Sequence, residues 1–187
     1  MVLNNFFDKF IFTSQLRFKD SNFYVMDIPF VIVPVDILTG FSELDEPTVN
    51  KAVYYAFKSS SLRRLIPKFQ QGTTKQKFLD LSQTFFGASG WGISKNIQID
   101  DANHRAIVVV SNSPLAKAVQ GKVKHPIDHY TRAMLAAIYT AYFDVQVEAV
   151  ETECAALHPG DCTYVIKPLS EFDFTKEETQ RQLSLNE

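Results

Sequence analysis

The chain has 187 residues, a net charge of −2, 45% hydrophobic and 21% charged residues, the make-up of one globular domain able to build a core without disulfide or metal staples. The faintly acidic balance excludes a dedicated nucleic-acid binder, which needs clustered positive charge to meet phosphates. No run of about 18 apolar residues suggests a membrane-spanning helix, and Met1 to Phe10 lacks a basic stretch leading into an apolar one, so the expectation is a cytoplasmic protein.

In chain order, residues 3–12 predict a short helix leading into a hairpin. Its arms are Leu16–Lys19 and Phe23–Met26 around the turn Asp20-Ser21-Asn22. Pro29 to Pro34 brackets a continuous apolar run that reads as a buried strand. A helix is expected from Val35 to about Leu44. Glu46-Pro47-Thr48 opens another, with Val49, Val53, Ala56 and Phe57 at helical spacing. It ends near Ser59-Ser60-Ser61 and continues or restarts through Leu62–Ile66. Arg63, Arg64 and Lys68 read as its solvated face.

Thr73-Thr74 starts a further helix carrying Phe78, Leu79, Leu81, Phe85 and Phe86, stopped by Gly87-Ala88-Ser89-Gly90. From Trp91 the pattern turns to strands: Ile93, Ile97 and Ile99 in one, Ala106–Val110 in the next, joined at residues 100–103. A long helix follows from Ile127 to Phe143. Its apolar face is Ile127, Tyr130, Met134, Ile138 and Tyr142, and its alanine-rich flanks permit close packing. Asp128 serves the start of this helix as a carboxylate near the dipole, or pairs with Arg132 four residues on. Strands near 145–155 and 162–168 end the domain at about residue 175, and 176–187 read as a polar C-terminal tail or short helix. The sum is a single α+β domain, an antiparallel sheet with helices packed on one side and a terminal cysteine-containing β-hairpin. The sixteen phenylalanines read as an aromatic-rich core.

The terminal hairpin holds both cysteines of the chain. A turn centred near His158 sets Cys154 opposite Cys162, close enough to share a metal. Glu151 lies three residues before Cys154, so in a regular strand the two point to opposite faces. A shared site therefore requires a bulge or a strand end between them; otherwise neither Glu151 nor Glu153 joins the cysteines. Nothing resembles a Ser/His/Asp set, a phosphate-binding glycine loop, or a nucleotide or flavin motif. Gly87–Gly92 follows a helix and precedes a strand, the reverse of a dinucleotide fingerprint.

Glu151-x-x-Cys154, seven residues, then Cys162, with Gly160 two before it, resembles the signature of the 4-vinyl reductase domain family. Asn112-Ser113 and His129-Tyr130-Thr131-Arg132 are similar to the rest of that pattern, so the resemblance runs from 112 to 168. It implies a fold related to a small subunit of vesicle-tethering complexes and to the sensor modules of bacterial activators that respond to aromatic compounds. In those sensors zinc is held by a Glu, two hairpin cysteines and a cysteine of the preceding helix. Glu151, Cys154 and Cys162 match three of these ligands. The fourth position, 23 residues before Glu151, is Asp128. The resemblance therefore implies a zinc site completed by Asp128 or by His129, with His125 a poorer substitute; the alternatives are free thiols or a disulfide.

The function so implied is a small-molecule-binding sensor or adaptor, more a sensor than an enzyme. Its apolar ligand cavity would lie between the 127–143 helix and the sheet, near Trp91, Tyr130, Arg132 and Met134. The expected partners are a second copy in a homodimer, a small hydrophobic ligand and a separate output protein, with no nucleic acid or membrane. Two alternatives stand beside it: an accessory protein in the metabolism of vinyl-bearing tetrapyrroles, and a structural assembly subunit.

Overall fold

The computed structural model describes residues 16–25, 28–44 and 46–184; the helix expected over 3–12 lies outside them. Strands β1 (Leu16–Lys19), β2 (Asn22–Val25) and β3 (Ile28–Phe30) form a small antiparallel sheet in that order. Its first turn is tight because Asp20 and Ser21 both adopt left-handed backbone, φ 50° and 61°, the geometry that matches strand twist in a two-residue hairpin.

The apolar run after β2 departs from the expectation. The strand stops at Phe30, and Val31 and Ile32 are 81% and 78% exposed. Pro29 and Pro34 limit ladder formation on both sides, and an apolar run reads alike whether its own domain or another molecule covers it.

Helices α1 (Val35–Glu43) and α2 (Pro47–Ser60) follow. Pro47 occupies the first turn of α2, and the Glu46 carboxylate accepts the Thr48 N–H at 3.2 Å, so the start is capped as its sequence suggests. The chain neither stops at Ser61 nor restarts cleanly. A π-helical turn, Ser61–Leu65, carries it into α3 (Ile66–Gln70). Helix α4 (Lys75–Ala88) starts on Thr74, whose hydroxyl accepts the Lys77 N–H.

The main sheet has the order β4-β5-β7-β6, from β4 (Ile93–Asp100), β5 (Arg105–Ser111), β6 (Glu148–Glu153) and β7 (Cys162–Lys167), all antiparallel. One face is closed: Ala106, Val108, Val110, Cys162, Tyr164 and Ile166 are buried, while Ile107, Val109, Thr163 and Val165 between them are half-buried. That alternation is the period of a sheet covered by helices on one side. A short α5 (Pro114–Ala118) precedes α6 (His129–Phe143), which lies on the closed face. Every residue of α6 except Ala141 is buried. A helix apolar or small on all sides has this central place. A 3₁₀ turn (Leu169–Glu171) and helix α7 (Glu177–Gln182) complete the described chain. Among the described residues no helix is long and apolar enough to cross a membrane.

Candidate functional site

Strand β6 is an edge, and its outward backbone groups meet side chains instead of another strand. The Tyr54 hydroxyl accepts the Ala149 N–H at 3.0 Å, and the Ala149 carbonyl accepts from Arg132 Nη1 at 3.0 Å. The Gln182 side-chain amide then plays both strand roles at once: Oε1 accepts the Glu151 N–H and Nε2 donates to the Glu151 carbonyl, each at 2.9 Å. A buried edge left unpaired costs free energy at every group, so these contacts fix β6 where it approaches the cysteines. Beside them a buried ion pair, Lys58 Nζ to Glu148 Oε1 at 2.6 Å, is completed by the Tyr54 O–H donating to Oε2 at 2.6 Å.

The register of β6 on β7 breaks between Glu151, opposite Tyr164, and Glu153, opposite Thr163. Thr152 is thus the extra residue of a bulge, the feature that strand parity demands. Continuing the register past Glu153 sets Cys154 opposite Cys162. One ligand atom from each of Glu151, Cys154 and Cys162 then lies within 4.8 Å of the others, and all three residues are buried. Neither thiol is in a disulfide. The Ala155 N–H donates to Cys162 Sγ at 3.3 Å, a contact that stabilises negative charge on sulfur. Two soft donors, one carboxylate and a backbone N–H aimed at a sulfur suit a thiophilic divalent cation such as zinc.

Asp128 stands beside this group. Its Oδ1 accepts the Thr131 N–H at 2.9 Å and so caps α6. Its Oδ2 accepts from the hydroxyls of Tyr164 at 3.2 Å and Ser113 at 3.3 Å. The same Tyr164 hydroxyl reaches Glu151 Oε1, and the Asp128 N–H donates to Glu151 Oε2. Burial drives the Glu151 carboxyl well above the ordinary carboxylate range, and the charges of Cys162 and Asp128 add to the rise. Burial raises Asp128 as well, opposed by its bonds from Thr131, Tyr164 and Ser113. The Cys162 thiol is held up first by its hydrogen bond with Cys154 and then by burial. Without a cation, this centre favours neutral groups.

The other residues singled out from sequence divide. The His129 Nδ1 lies 3.2 Å from Arg132 Nη2. A guanidinium only donates, so Nδ1 holds the lone pair and the neutral ring carries its proton on Nε2. Burial, with Arg132 beside it, keeps this histidine neutral by depressing its pKa well below the usual value. His129 thus offers the cysteine group no lone pair. Arg132 does not pair with Asp128. Its Nη1 is divided between the carbonyls of Ala149 and Gln182 (3.1 Å for the latter), and its guanidinium stacks 4.3 Å from the Tyr54 ring.

Tyr130 and Trp91 do come together, in an aromatic cluster with Phe57 and Phe86: Phe57–Tyr130 centroids are 5.5 Å apart, Phe57–Trp91 6.0 Å and Trp91–Tyr130 6.5 Å. Met134 is buried one turn after Tyr130. Between α6 and the sheet, where the sequence suggests a ligand cavity, Leu135, Tyr139, Val108, Tyr164 and Ile166 belong to a closed core. A groove of about 670 Å³ opens elsewhere, along Tyr55, Lys58, Leu62, Arg63, Glu148 and Leu169. The π-helical turn supplies Leu62 and Arg63 to its wall.

Sequence reasoning missed Gln182, Tyr54, Lys58 and Tyr164. Gln182 sits in a segment that reads as polar tail, yet it is 3% exposed. Only the alternation of Cys162, Tyr164 and Ile166 carried a signal, since it places Tyr164 on the face of Cys162.

Searches against protein-family models and against curated proteins find no match to the sequence. Solved structures do match. The phenol-responsive sensory domain of the transcription activator PoxR, crystallised with phenol, superposes with a TM-score of 0.72 over 98% of this chain and 96% of that one, at 14% identity. The chain has the fold of that sensory domain. A vinyl-4-reductase family protein from Methanocaldococcus jannaschii matches at 0.46 (16% identity; 74% of this chain, 83% of that one). A trafficking protein particle complex subunit 3 from Naegleria fowleri, covalently bound to palmitic acid, matches at 0.48 (13% identity; 71% and 89%).

Proposed function

We propose that this chain is a small-molecule sensor domain that takes a small aromatic or other apolar ligand beside Trp91, Tyr130 and Met134. The observation that carries the reading is the match along nearly the whole of both chains to a sensory domain crystallised with phenol. The Trp91–Tyr130–Phe57 cluster supports the place, because the half-buried rings of Trp91 and Phe57, beside buried Tyr130, present flat apolar faces to an aromatic ligand. Arg132 is committed to the β6 edge and acts by holding that edge in position.

In the same reading zinc is held by Glu151, Cys154 and Cys162, with Asp128 as the fourth donor. When bound, the ion supplies the positive charge that lets buried thiolates and carboxylates ionise together. The chain's own residues arrange the donors: the Thr152 bulge turns Glu151 toward the cysteines, Gln182 pins the Glu151 backbone, and Tyr164 spans the two carboxyl groups. The protein acts as a cytoplasmic homodimer and passes its response to a separate output protein. Exposed apolar side chains at Phe18, Val31, Ile32, Ile37 and Leu44 support a contact between copies in the N-terminal region.

Trp91 is the only tryptophan, so its emission, excited at 295 nm to avoid the ligand, reports on this site alone. Phenol titration is expected to give a saturable change in that emission. A linear, unsaturable response to phenol and other small aromatics overturns the sensor reading. Elemental analysis of purified protein is expected to find one zinc per chain, lost in Cys154→Ser. Unchanged metal content in that variant removes the hairpin as the site.

A further inference from the structure

A small cavity lies between the start of α2, the first turn of α6 and helix α7. It measures about 20 Å³ and is lined by Pro47, Asn50, His129, Glu178, Arg181 and Gln182 among others. None of Glu151, Cys154, Cys162 or Asp128 lines it, so it is separate from the cysteine centre. Two of its polar atoms are buried and lack a hydrogen-bond partner among the described residues: Asn50 Oδ1 and His129 Nε2. Their residues are 7% and 3% exposed.

The chemistry of this pair is defined. Arg132 Nη2 faces His129 Nδ1, so Nδ1 accepts and Nε2 carries the hydrogen. The unpartnered pair therefore offers one N–H donor and one carbonyl acceptor. Glu178 and Arg181 also line the cavity, and their opposite charges favour neither a cation nor an anion over a neutral group. The group that satisfies both atoms accepts one hydrogen bond and donates one, which is a hydroxyl. About 10–15 Å³ of such space holds one water-sized group, so the cavity admits one hydroxyl and no aromatic ring.

We propose that this cavity is a hydroxyl-binding site, in which one O–H donates to Asn50 Oδ1 and accepts from His129 Nε2–H. The occupant is either water or the hydroxyl of a small aliphatic alcohol. The site joins three helices. Its floor belongs to α2 and α6, and its wall includes Gln182, the residue that clamps the Glu151 backbone. It shares no aromatic residue with the Trp91 cluster, so this inference stands or falls independently of the sensor reading.

The test is NMR of protein labelled with ¹⁵N-histidine. The wild type is expected to show His129 as the Nε2–H tautomer, its proton protected from exchange. A cross-relaxation contact from that proton to long-lived water marks water as the occupant. A saturable shift of the Nε2 signal on adding methanol, not produced by methane-saturated buffer, marks an alcohol site. The Nδ1–H tautomer overturns the proposal, as does an Nε2–H that shows neither the water contact nor the methanol shift. Asn50→Leu, close in volume and without the acceptor, strands the imidazole N–H and is expected to lower Tm on the order of 5 °C. A rise in Tm would identify the space as a dry packing defect and overturn the assignment.

Discussion

The buried Glu151 carboxyl makes a prediction that runs against its proposed role as a metal ligand. In the metal-free fold, burial and the neighbouring Cys162 and Asp128 hold its pKa well above 4.5, whereas in the unfolded chain it ionises near that ordinary value. Over the window from about pH 4.5 up to the raised value, the folded protein carries one proton more than the unfolded one. Stability therefore falls as pH rises, by about 1.4 kcal/mol per unit for one proton. Glu151→Gln keeps the shape of the protonated acid and removes the titration. Below pH 4.5 the two proteins are expected to be about equally stable. Above it the variant gains on the wild type, reaching about 3 kcal/mol after two units in which Glu151 stays protonated. The depressed His129 contributes the opposite slope below pH 6.5, but it is common to both proteins and cancels in their difference. The assay is urea unfolding of both proteins in chelator from pH 5 to 8. Zinc should then shrink the variant's advantage. At a hundredfold excess over Kd it stabilises the wild type by about 2.7 kcal/mol, while the variant, short of a charged donor, gains less. A difference curve flat with pH would refute the reasoning, because it would mean that Glu151 is already ionised in the metal-free fold.

Lys58→Met leaves the Glu148 carboxylate buried beside Tyr54 without its cation, and urea unfolding is expected to show a loss of about 3–5 kcal/mol. Adding Glu148→Gln to that variant should recover much of it, since the unpaired charge is then gone. At Gly92 the backbone φ is +109°, and an added Cβ would stand 2.7 Å from the Ser111 carbonyl oxygen. Gly92→Ala is therefore expected to lower stability by about 2 kcal/mol or more, read as a drop in Tm, with the β4–β5 hairpin absorbing the shift. Asp128→Cys restores a third thiolate and is expected to raise zinc affinity in a chelator competition. It also costs the metal-free protein about 1 kcal/mol, because a thiol is a poor cap for Thr131.

Much of the fold was legible because its signals are local. The spacing of Ile127, Tyr130, Met134 and Ile138 marks α6, and its alanines foretell the near-complete burial observed. Strand parity between Glu151 and Cys154 requires a bulge for a joint site, and the register breaks at Thr152. What stayed hidden depends on groups distant in sequence. Val31 and Ile32 look like core from composition alone, since nothing in the run says whether another layer will cover it. Gln182 is read as solvated because its neighbours are charged; its amide turns inward to satisfy the edge of β6, a task that leaves no periodic trace. Arg132 has the same origin. A buried guanidinium is tolerable where two carbonyls, a histidine nitrogen and a tyrosine face await it, and none of these follows from its own helix.

Asp128 shows why a site can be located from sequence while its strength cannot. Its position before α6 is the place for a capping carboxylate, and it does cap Thr131. The spacing to Glu151 also sets it at the fourth position of the proposed zinc site, and its Oδ2 shares the Tyr164 hydroxyl with Glu151. The two roles compete for the same oxygens. One is engaged by the Thr131 N–H, and the other accepts from two hydroxyls, so a metal must displace or share those bonds before it gains a ligand. A cysteine there would have no such prior commitments and would bring a softer, more polarisable donor. In the proposed zinc site, an aspartate in place of a cysteine would thus move free energy from metal binding into the start of α6. On that reading the metal-free fold would be more self-sufficient, and the centre would be harder and weaker toward zinc.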